Sequence, residues 1–374
     1  MRVAIVTRYL KKQDGQGRVN CELAQELLCR GHSLLLVASE VEPSLLEIRG
    51  VEWAKIPMPP VPTYLLREQI FAVLSSAVLA REHQRLQAIV VNGFATWWRS
   101  DVNLVNFVHH AWLKSPLHPA RGRPGLAALY RWLYTAVNAK AERAAFAQAR
   151  SVVAVSELVR RQLVDCGVDA QRITVIPNGV DLLAFSPGTG RRGDFGLPEG
   201  PFIGLFAGDL RTPRKNLDSV LKAMTVVPDV HLAVAGDTAK SPYPAMARSL
   251  GIAGRVHFVG MSTEIAALMR AVDAFVFPTR FDPFGLVLLE ASACGLPIVT
   301  SRAAGACESL DGDGMIVLDD PDDVDGLAAA LKMLASDTTL RRRMGRSARV
   351  AAERLSWKSA VARHARHIEA VARA

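Results

Sequence analysis

Short β-branched runs alternate with longer helical patterns along this chain, and they do so in two successive series. The first series is VAIVT (3–7), SLLLVAS (33–39), AIVVN (88–92), NFVHH (106–110) and SVVAVS (151–156). The second is FIGLFAG (202–208), VHLAVAG (230–236), RVHFVG (255–260), AFVFPT (274–279), PIVTS (297–301) and GMIVL (314–318). Strands buried on both faces and separated by helices predict parallel sheets of the doubly wound α/β class. At 374 residues the chain exceeds what one hydrophobic core usually supports. Two α/β domains of similar size follow, joined near residues 170–185. RITVIPNGVD (172–181) ends in turn residues, and the Pro/Gly-rich PGTGRRGDFGLPEGP (187–201) reads as a linker or surface loop.

Composition narrows the setting. The five cysteines are scattered, odd in number and form no C-x-x-C, which predicts reduced thiols and neither a disulfide framework nor a zinc site. No cleavage-site pattern follows Met1-Arg2 and no apolar run is long enough to span a bilayer, so the expectation is a cytoplasmic protein. The net charge of +9 is uneven: residues 1–180 hold 22 Lys and Arg against 14 Asp and Glu, and the remainder is nearly balanced. A basic half suits nucleic acid, anionic lipid or a phosphorylated small molecule, or simply keeps the protein soluble.

In open α/β sheets ligands bind beyond the carboxyl ends of the strands, so the residues just after each run are the candidates. After the first strand, Gly15-Gln16-Gly17 comes too late for a dinucleotide fingerprint, and Asn20 stands at its third glycine position. Such a loop still offers amides to an anion, or is a plain connection. His109 and His110 end the NFVHH run, where neighbours point to opposite faces, so His109 is taken to face the ligand. Neither has a carboxylate or cysteine at metal-ligand spacing, and no metal is expected. Arg211, Arg214 and Lys215 precede a helix pattern starting near Asn216. Cations beside a helix N-terminus form a phosphate site, although a solvated charge cluster is the alternative.

The most informative stretch is RFDPFGLVLLEASACGLPIVTS (280–301). A helix from Gly285 to Cys294 would leave first-turn amides near Phe284, Gly285 and Leu286 free for a diphosphate. Asp282 lies just before that helix and Glu290 about two turns along it. Either they hold a polyol, or Asp282 caps the helix and Glu290 contacts a neighbouring arginine.

Taken together, these segments resemble the retaining, nucleotide-sugar-dependent glycosyltransferases of family 4, which have the GT-B architecture. DPFGLVLLEASACGLPIV is similar to the family's Glu-x7-Glu motif with its trailing A-x-A-x-G-x-P-V, and VIPNGVDLLAFSP (175–187) to its I-P-N-G-V-D-x-x-x-F. PRKNLDSVLKA (213–223) resembles its donor-phosphate loop; RGHSLLLV (30–37), AVSELVRRQL (154–163) and GDGMIVLDDPDDVDGLAAAL (312–331) fit further segments in the same order. The resemblance implies two Rossmann-like domains facing across a deep cleft. Residues 1–170 would form the acceptor domain, 171–356 the nucleotide-sugar domain, and 357–374 a C-terminal helix packing back on the first.

The resemblance also implies roles. Asp282 would hydrogen-bond hydroxyls of the transferred sugar and Glu290 would bind the nucleotide ribose. Phe284, Gly285, Leu286 and Val287 would supply amides and contacts to the diphosphate, and Arg214 and Lys215 would neutralise it as it leaves. Gly17 would lie near the donor phosphate, His109 near the transferred sugar, and Asn92 and His110 on the acceptor side. Two departures stand out: the first acid is Asp282 where Glu is usual, and Asp209 follows Gly208 where the family places an arginine that Arg211 could replace.

Fixed donors aimed at the departing phosphate need no cofactor or metal. With both acids gripping hydroxyls, no nucleophile remains for a double displacement, and the implied mechanism is front-side substitution with retention. The implied partners are a nucleotide sugar and a glycan or glycolipid acceptor, with no nucleic acid. The basic, aromatic-rich segments 58–86, 92–98 and 118–140 suggest a lipid-linked acceptor at an anionic membrane surface, on the cytoplasmic side, in surface-polysaccharide assembly. The alternatives are a GT-B epimerase or hydrolase acting without a separate acceptor, and a non-catalytic sugar-nucleotide-binding subunit.

Overall fold

The computed structural model describes residues 1–11, 15–122 and 125–374, with Gly15 and Gln16 as backbone only. The chain divides into two compact units, Met1–Asn178 with Trp357–Ala374, and Gly179–Ser356.

The first unit is built on a seven-stranded, wholly parallel sheet. Its order is Val51–Lys55, Ser33–Ala38, Arg2–Val6, Ala88–Asn92, Val102–Val105, Ser151–Ala154, Ile173–Val175. The central strands are buried on both faces, as their unbroken apolar runs require. The helix Gly15–Cys29 follows the first strand; Gly31, at φ 80°, closes it by donating its amide to the Leu28 carbonyl at 2.9 Å. The helix Trp357–Arg373 belongs to this unit: Val361, Ala365 and Ile368 enter the same core as Val3, Ile5 and Leu23. Polar contacts fix it as well, from Glu369 to His32 at 2.9 Å and from His367 to Ser151 at 2.8 Å.

Two expectations are corrected here. The strand lies at Val102–Val105, not at 106–110, and His109 opens a short helix, His109–Lys114. Asn103 made the true strand look polar; it is 1% exposed and gives its side-chain amide to the Gly93 carbonyl at 2.9 Å. The boundary expected at residue 170 falls short, because Ile173–Val175 pairs with Ser151–Ala154 and completes the first sheet.

The second unit has a six-stranded parallel sheet in the order Val256–Gly260, Val230–Ala235, Phe202–Ala207, Ala274–Phe277, Ile298–Ser301, Met315–Leu318. Counted along the chain, this is the doubly wound order 3-2-1-4-5-6, which reverses direction between the first and fourth strands. Buried Phe206, Phe275 and Phe277 stack through the middle of the sheet, with ring centroids about 6 Å apart. The segment 187–201 is no loose linker. Arg192 pairs with Asp273 at 2.7 Å and donates to the carbonyls of Glu199 and Pro201, which ties it to the start of the central strand Ala274–Phe277. The helix Leu286–Ala293 packs its small residues inward, and a Cβ on Gly345 of the neighbouring helix would collide with the Gly295 carbonyl.

Candidate active site

Each unit gathers polar side chains at the switch point of its sheet. In the second unit the chain leaves Phe202–Ala207 through Gly208 and enters a short 3-10 turn, Pro213–Lys215. Lys215 donates its ammonium to the Asp282 carboxylate, which follows the fourth strand of the sheet. Both side chains are only 13% exposed. The Lys215 ammonium also stands 5.2 Å from the centroid of the Phe277 ring, so the core aromatic fixes the cation from below. Asp282 Oδ1 accepts the Phe284 amide at 3.3 Å, and Gly285, at φ 92°, starts the helix Leu286–Ala293 in a conformation that favours glycine. The first-turn amides of that helix, Leu286 and Val287 among them, carry the positive end of its dipole. Glu290 is half-buried on the same helix. Phe284 is almost wholly buried, so its ring belongs to the core.

Arg211 is placed differently from a substitute phosphate ligand. Its guanidinium and amide both contact Asp209 Oδ1 at 3.0 Å, and the side chain is largely exposed. Burial raises the Asp209 pKa, but the hydrogen bonds and charge of Arg211 outweigh it and hold the carboxyl below its usual range.

Arg280 escaped the sequence reading. Its guanidinium grips Asp218 through two bonds, at 2.9 and 2.7 Å, and Asp322 at 2.7 Å, and donates to the Pro213 carbonyl at 2.8 Å. The Arg280 amide and the Thr279 hydroxyl both donate to the Arg214 carbonyl, at 2.9 and 3.0 Å. The Arg214–Lys215 turn is thus held from its backbone side, while the Lys215 side chain reaches Asp282. An arginine beside the first acid of an apolar strand end was the available signal.

In the first unit a cavity of about 350 Å³ opens at the carboxyl ends of the first, fourth and fifth strands. Gly17, Asn92 and His109 line it, with Arg8, Glu68 and Glu142. Glu142, from the helix Leu126–Gln148, accepts the His109 ring Nδ1 at 2.7 Å and the His109 amide at 2.9 Å. Burial opposes the charged imidazole, yet Glu142 and the more distant Glu68 outweigh it and hold the His109 pKa above its ordinary value. Glu68 pairs with Arg8; burial, the larger influence, still raises its carboxyl. Asn92 donates to Asn20 at 2.9 Å, whereas Asn92 Oδ1 and Arg8 Nε are buried with no partner. Buried polar atoms left unpaired carry a desolvation cost.

His110 is separated from this group. It does not line the cavity, and burial, then Lys114 and Arg143, lowers its pKa. The loop before Gly15 includes Lys12, Gln13 and Asp14, which lie outside the described residues. Among the described residues no group of three or more His, Cys, Asp or Glu stands close enough to hold a metal ion.

Two doubly wound parallel sheets, each with a charged cluster at its switch point, define the GT-B class of two-domain protein. Two family models match, Glycosyltransferase Family 4 over residues 13–182 and Glycosyl transferases group 1 over residues 191–351. The chain belongs to the family-4 glycosyltransferases.

Among curated relatives, the D-inositol 3-phosphate glycosyltransferases of Mycobacterium tuberculosis and Mycobacterium bovis are 36% identical over 166 residues. That match covers 42% of this chain and 34% of the relative, so it spans about a third of the curated proteins' length. Solved structures match nearly end to end. WaaG, a glycosyltransferase involved in lipopolysaccharide biosynthesis, gives a TM-score of 0.75 at 22% identity, covering 98% of this chain and 99% of its own. Sucrose-phosphate synthase from Thermosynechococcus elongatus gives 0.79 at 18% identity, covering 99% of each chain. HepE from Anabaena, solved with UDP and glucose, gives 0.68 at 20% identity, again covering 99% of each.

Proposed function

We propose that this chain is a retaining glycosyltransferase that moves a sugar from a nucleotide-diphosphate sugar to a hydroxyl acceptor. The observation that carries the reading is the Lys215–Asp282 contact beside the helix Leu286–Ala293. It joins a phosphate-neutralising cation, a sugar-gripping carboxylate and a helix N-terminus at one switch point. In this reading the diphosphate takes the first-turn amides with Arg214 and Lys215, Asp282 holds the sugar hydroxyls, and Glu290 holds the ribose. The bound structure of HepE with UDP and glucose supports the choice of donor class.

The chemistry then needs no resident metal. The anomeric carbon–oxygen bond breaks towards the diphosphate, whose new charge the amides and cations stabilise. The acceptor oxygen bonds to the same face of the anomeric carbon, and its proton passes to the leaving phosphate oxygen. With Asp282 assigned to sugar hydroxyls and Glu290 to the ribose, neither is left as a covalent nucleophile. The polar cavity of the first unit would hold the acceptor, with His109 beside the transferred sugar.

A membrane-surface location belongs to the same reading. Leu126 is 87% exposed, Tyr64 65%, and Leu129, Trp132 and Leu133 stand out from the same helix as Leu126. Such exposed apolar residues on the basic half suit an anionic membrane surface carrying a lipid-linked acceptor. No helix among the described residues is long and apolar enough to cross a bilayer.

The test is a panel of UDP-, GDP- and ADP-sugars scored by thermal shift on the wild type, Asp282→Ala and Glu290→Ala. One nucleotide family should stabilise the wild type and lose most of its effect in both variants. Stabilisation by none, or undiminished stabilisation in both variants, defeats the reading. Free or epimerised sugar formed from donor alone at transferase-like rates would favour the hydrolase or epimerase instead.

A further inference from the structure

Beside the polar cavity of the first unit lies a second one, of about 400 Å³, with which it shares Phe107, His109 and Tyr134. Its character is opposite. Tyr64, Trp112 and Tyr130 add aromatic walls to those of Phe107 and Tyr134. Some polar groups on its wall are already bonded to protein: His118 Nδ1 accepts the Ala120 amide at 3.2 Å, so Nε2 carries the proton and meets Thr135 Oγ1 at 2.9 Å. Thr135 in turn donates to the Arg131 carbonyl at 2.9 Å. The Tyr130 hydroxyl takes the Leu65 amide at 3.4 Å.

A wall made largely of rings, with His118 and Thr135 already bonded to protein, rewards apolar surface more than a hydroxyl-rich ligand. The polar cavity, lined by Arg8, Glu68, Asn92, Asn138 and Glu142, has the reverse preference. The two adjoin, so one molecule with a polar end and an apolar end satisfies both.

We propose that the aromatic cavity takes the apolar aglycone of an amphiphilic acceptor whose hydroxyl-bearing end occupies the polar cavity. This rests on the reading of the first unit as the acceptor-binding one and narrows it. The acceptor is a hydroxyl-bearing head joined directly to a hydrocarbon chain, not a free sugar or a fully hydrophilic phosphorylated polyol. His109 and Tyr134, lining both cavities, mark the junction between head and chain.

The test uses methyl, butyl, hexyl and octyl β-D-glucopyranosides below their micellar concentrations. Binding to the full chain is followed by tryptophan fluorescence, because Trp112 lines the aromatic cavity. Affinity should rise about threefold to fourfold per methylene, the fold-change that burying one CH₂ corresponds to. Trp112→Ala, followed by calorimetry, and Tyr64→Ala at the exposed rim should flatten that rise. Leu183→Ser, on the exposed surface of the second unit and outside both cavities, should leave it intact. Nucleoside-diphosphate binding in the second unit, measured on the same samples, reports separately on fold and on the donor reading. An affinity independent of chain length overturns the proposal, as does a slope that survives both Trp112→Ala and Tyr64→Ala. Loss of nucleotide binding in the wild type would instead sink the transferase reading and leave the chain-length result standing.

Discussion

Lys215 and Asp282, 67 residues apart in sequence, form a shielded ion pair at the switch point of the second sheet. The pair couples the two motifs proposed to bind the donor: the cation of the turn Pro213–Lys215 orients the carboxylate that would hold the sugar. A bound diphosphate would compete with Asp282 for the Lys215 ammonium, which frees carboxylate acceptor sites for sugar hydroxyls. Lys215→Ala should therefore lower kcat/KM by on the order of 100-fold, the usual loss when one transition-state charge donor is removed. Steady-state kinetics with the donor chosen by the nucleotide panel measures this; an unchanged kcat/KM would separate Lys215 from the reaction.

The Arg280 clamp gives a second prediction. Arg280→Ala should weaken nucleoside-diphosphate binding although Arg280 itself contacts the backbone of the turn. Arg280→Lys keeps the charge without the two-pronged grip on Asp218 and should recover only part of the loss. A double-mutant cycle with Asp218→Asn, read by calorimetry, should give a coupling of about 1–3 kcal/mol between the two positions. Strict additivity would mean that the clamp does not position the turn.

A third concerns His109. Its folded pKa lies above 6.5, so the Glu142 contact stabilises the fold fully below that pH. The stabilisation is lost as pH rises through the folded value. In Glu142→Gln burial acts nearly alone, and the His109 pKa should fall below 6.5. Imidazole titration by NMR reads this directly, and an unmoved pKa would show that Glu142 does not hold the charge. The pH profile of kcat/KM should shift in the same direction if His109 acts near the sugar.

His364 carries a fourth prediction with the opposite sign. It lies deep in the helix Trp357–Arg373, with Nδ1 buried and unpartnered. Burial, then His367 and Arg363, pushes its pKa down to about 3. The neutral ring is fully stabilising above pH 6.5, and its contribution is lost as pH falls from there towards 3. One such proton gives a slope of up to about 1.4 kcal/mol per pH unit. His364→Leu should flatten the acid limb of the denaturation curve, whatever its effect at neutral pH. An acid limb of unchanged slope would place the acid sensitivity elsewhere.

Much of this was legible in the sequence because parallel strands covered on both faces leave unbroken apolar runs. Phe202–Ala207 and Ala274–Phe277 lie within the segments so marked, and Asp282, Lys215 and the helix after Gly285 could be placed at their ends. Asn103 hid one strand, since a buried asparagine that bonds to a loop carbonyl looks like a surface residue. The helix start at His109 was read as part of that missing strand. Arg280 and Glu142 were missed for a different reason. Their partners, Asp218 and His109, lie 62 and 33 residues away, and only the fold brings such pairs together.

The most direct measurement is NMR of the reaction mixture containing the stabilising nucleotide sugar and octyl glycoside as acceptor. Nucleoside diphosphate should appear in step with a glycosylated octyl glycoside, the new bond keeping the anomeric configuration of the donor. The Asp282→Ala variant should do this at a small fraction of the rate. An inverted product, or a nucleotide sugar that is bound but never consumed with any hydroxyl acceptor, would contradict the assignment.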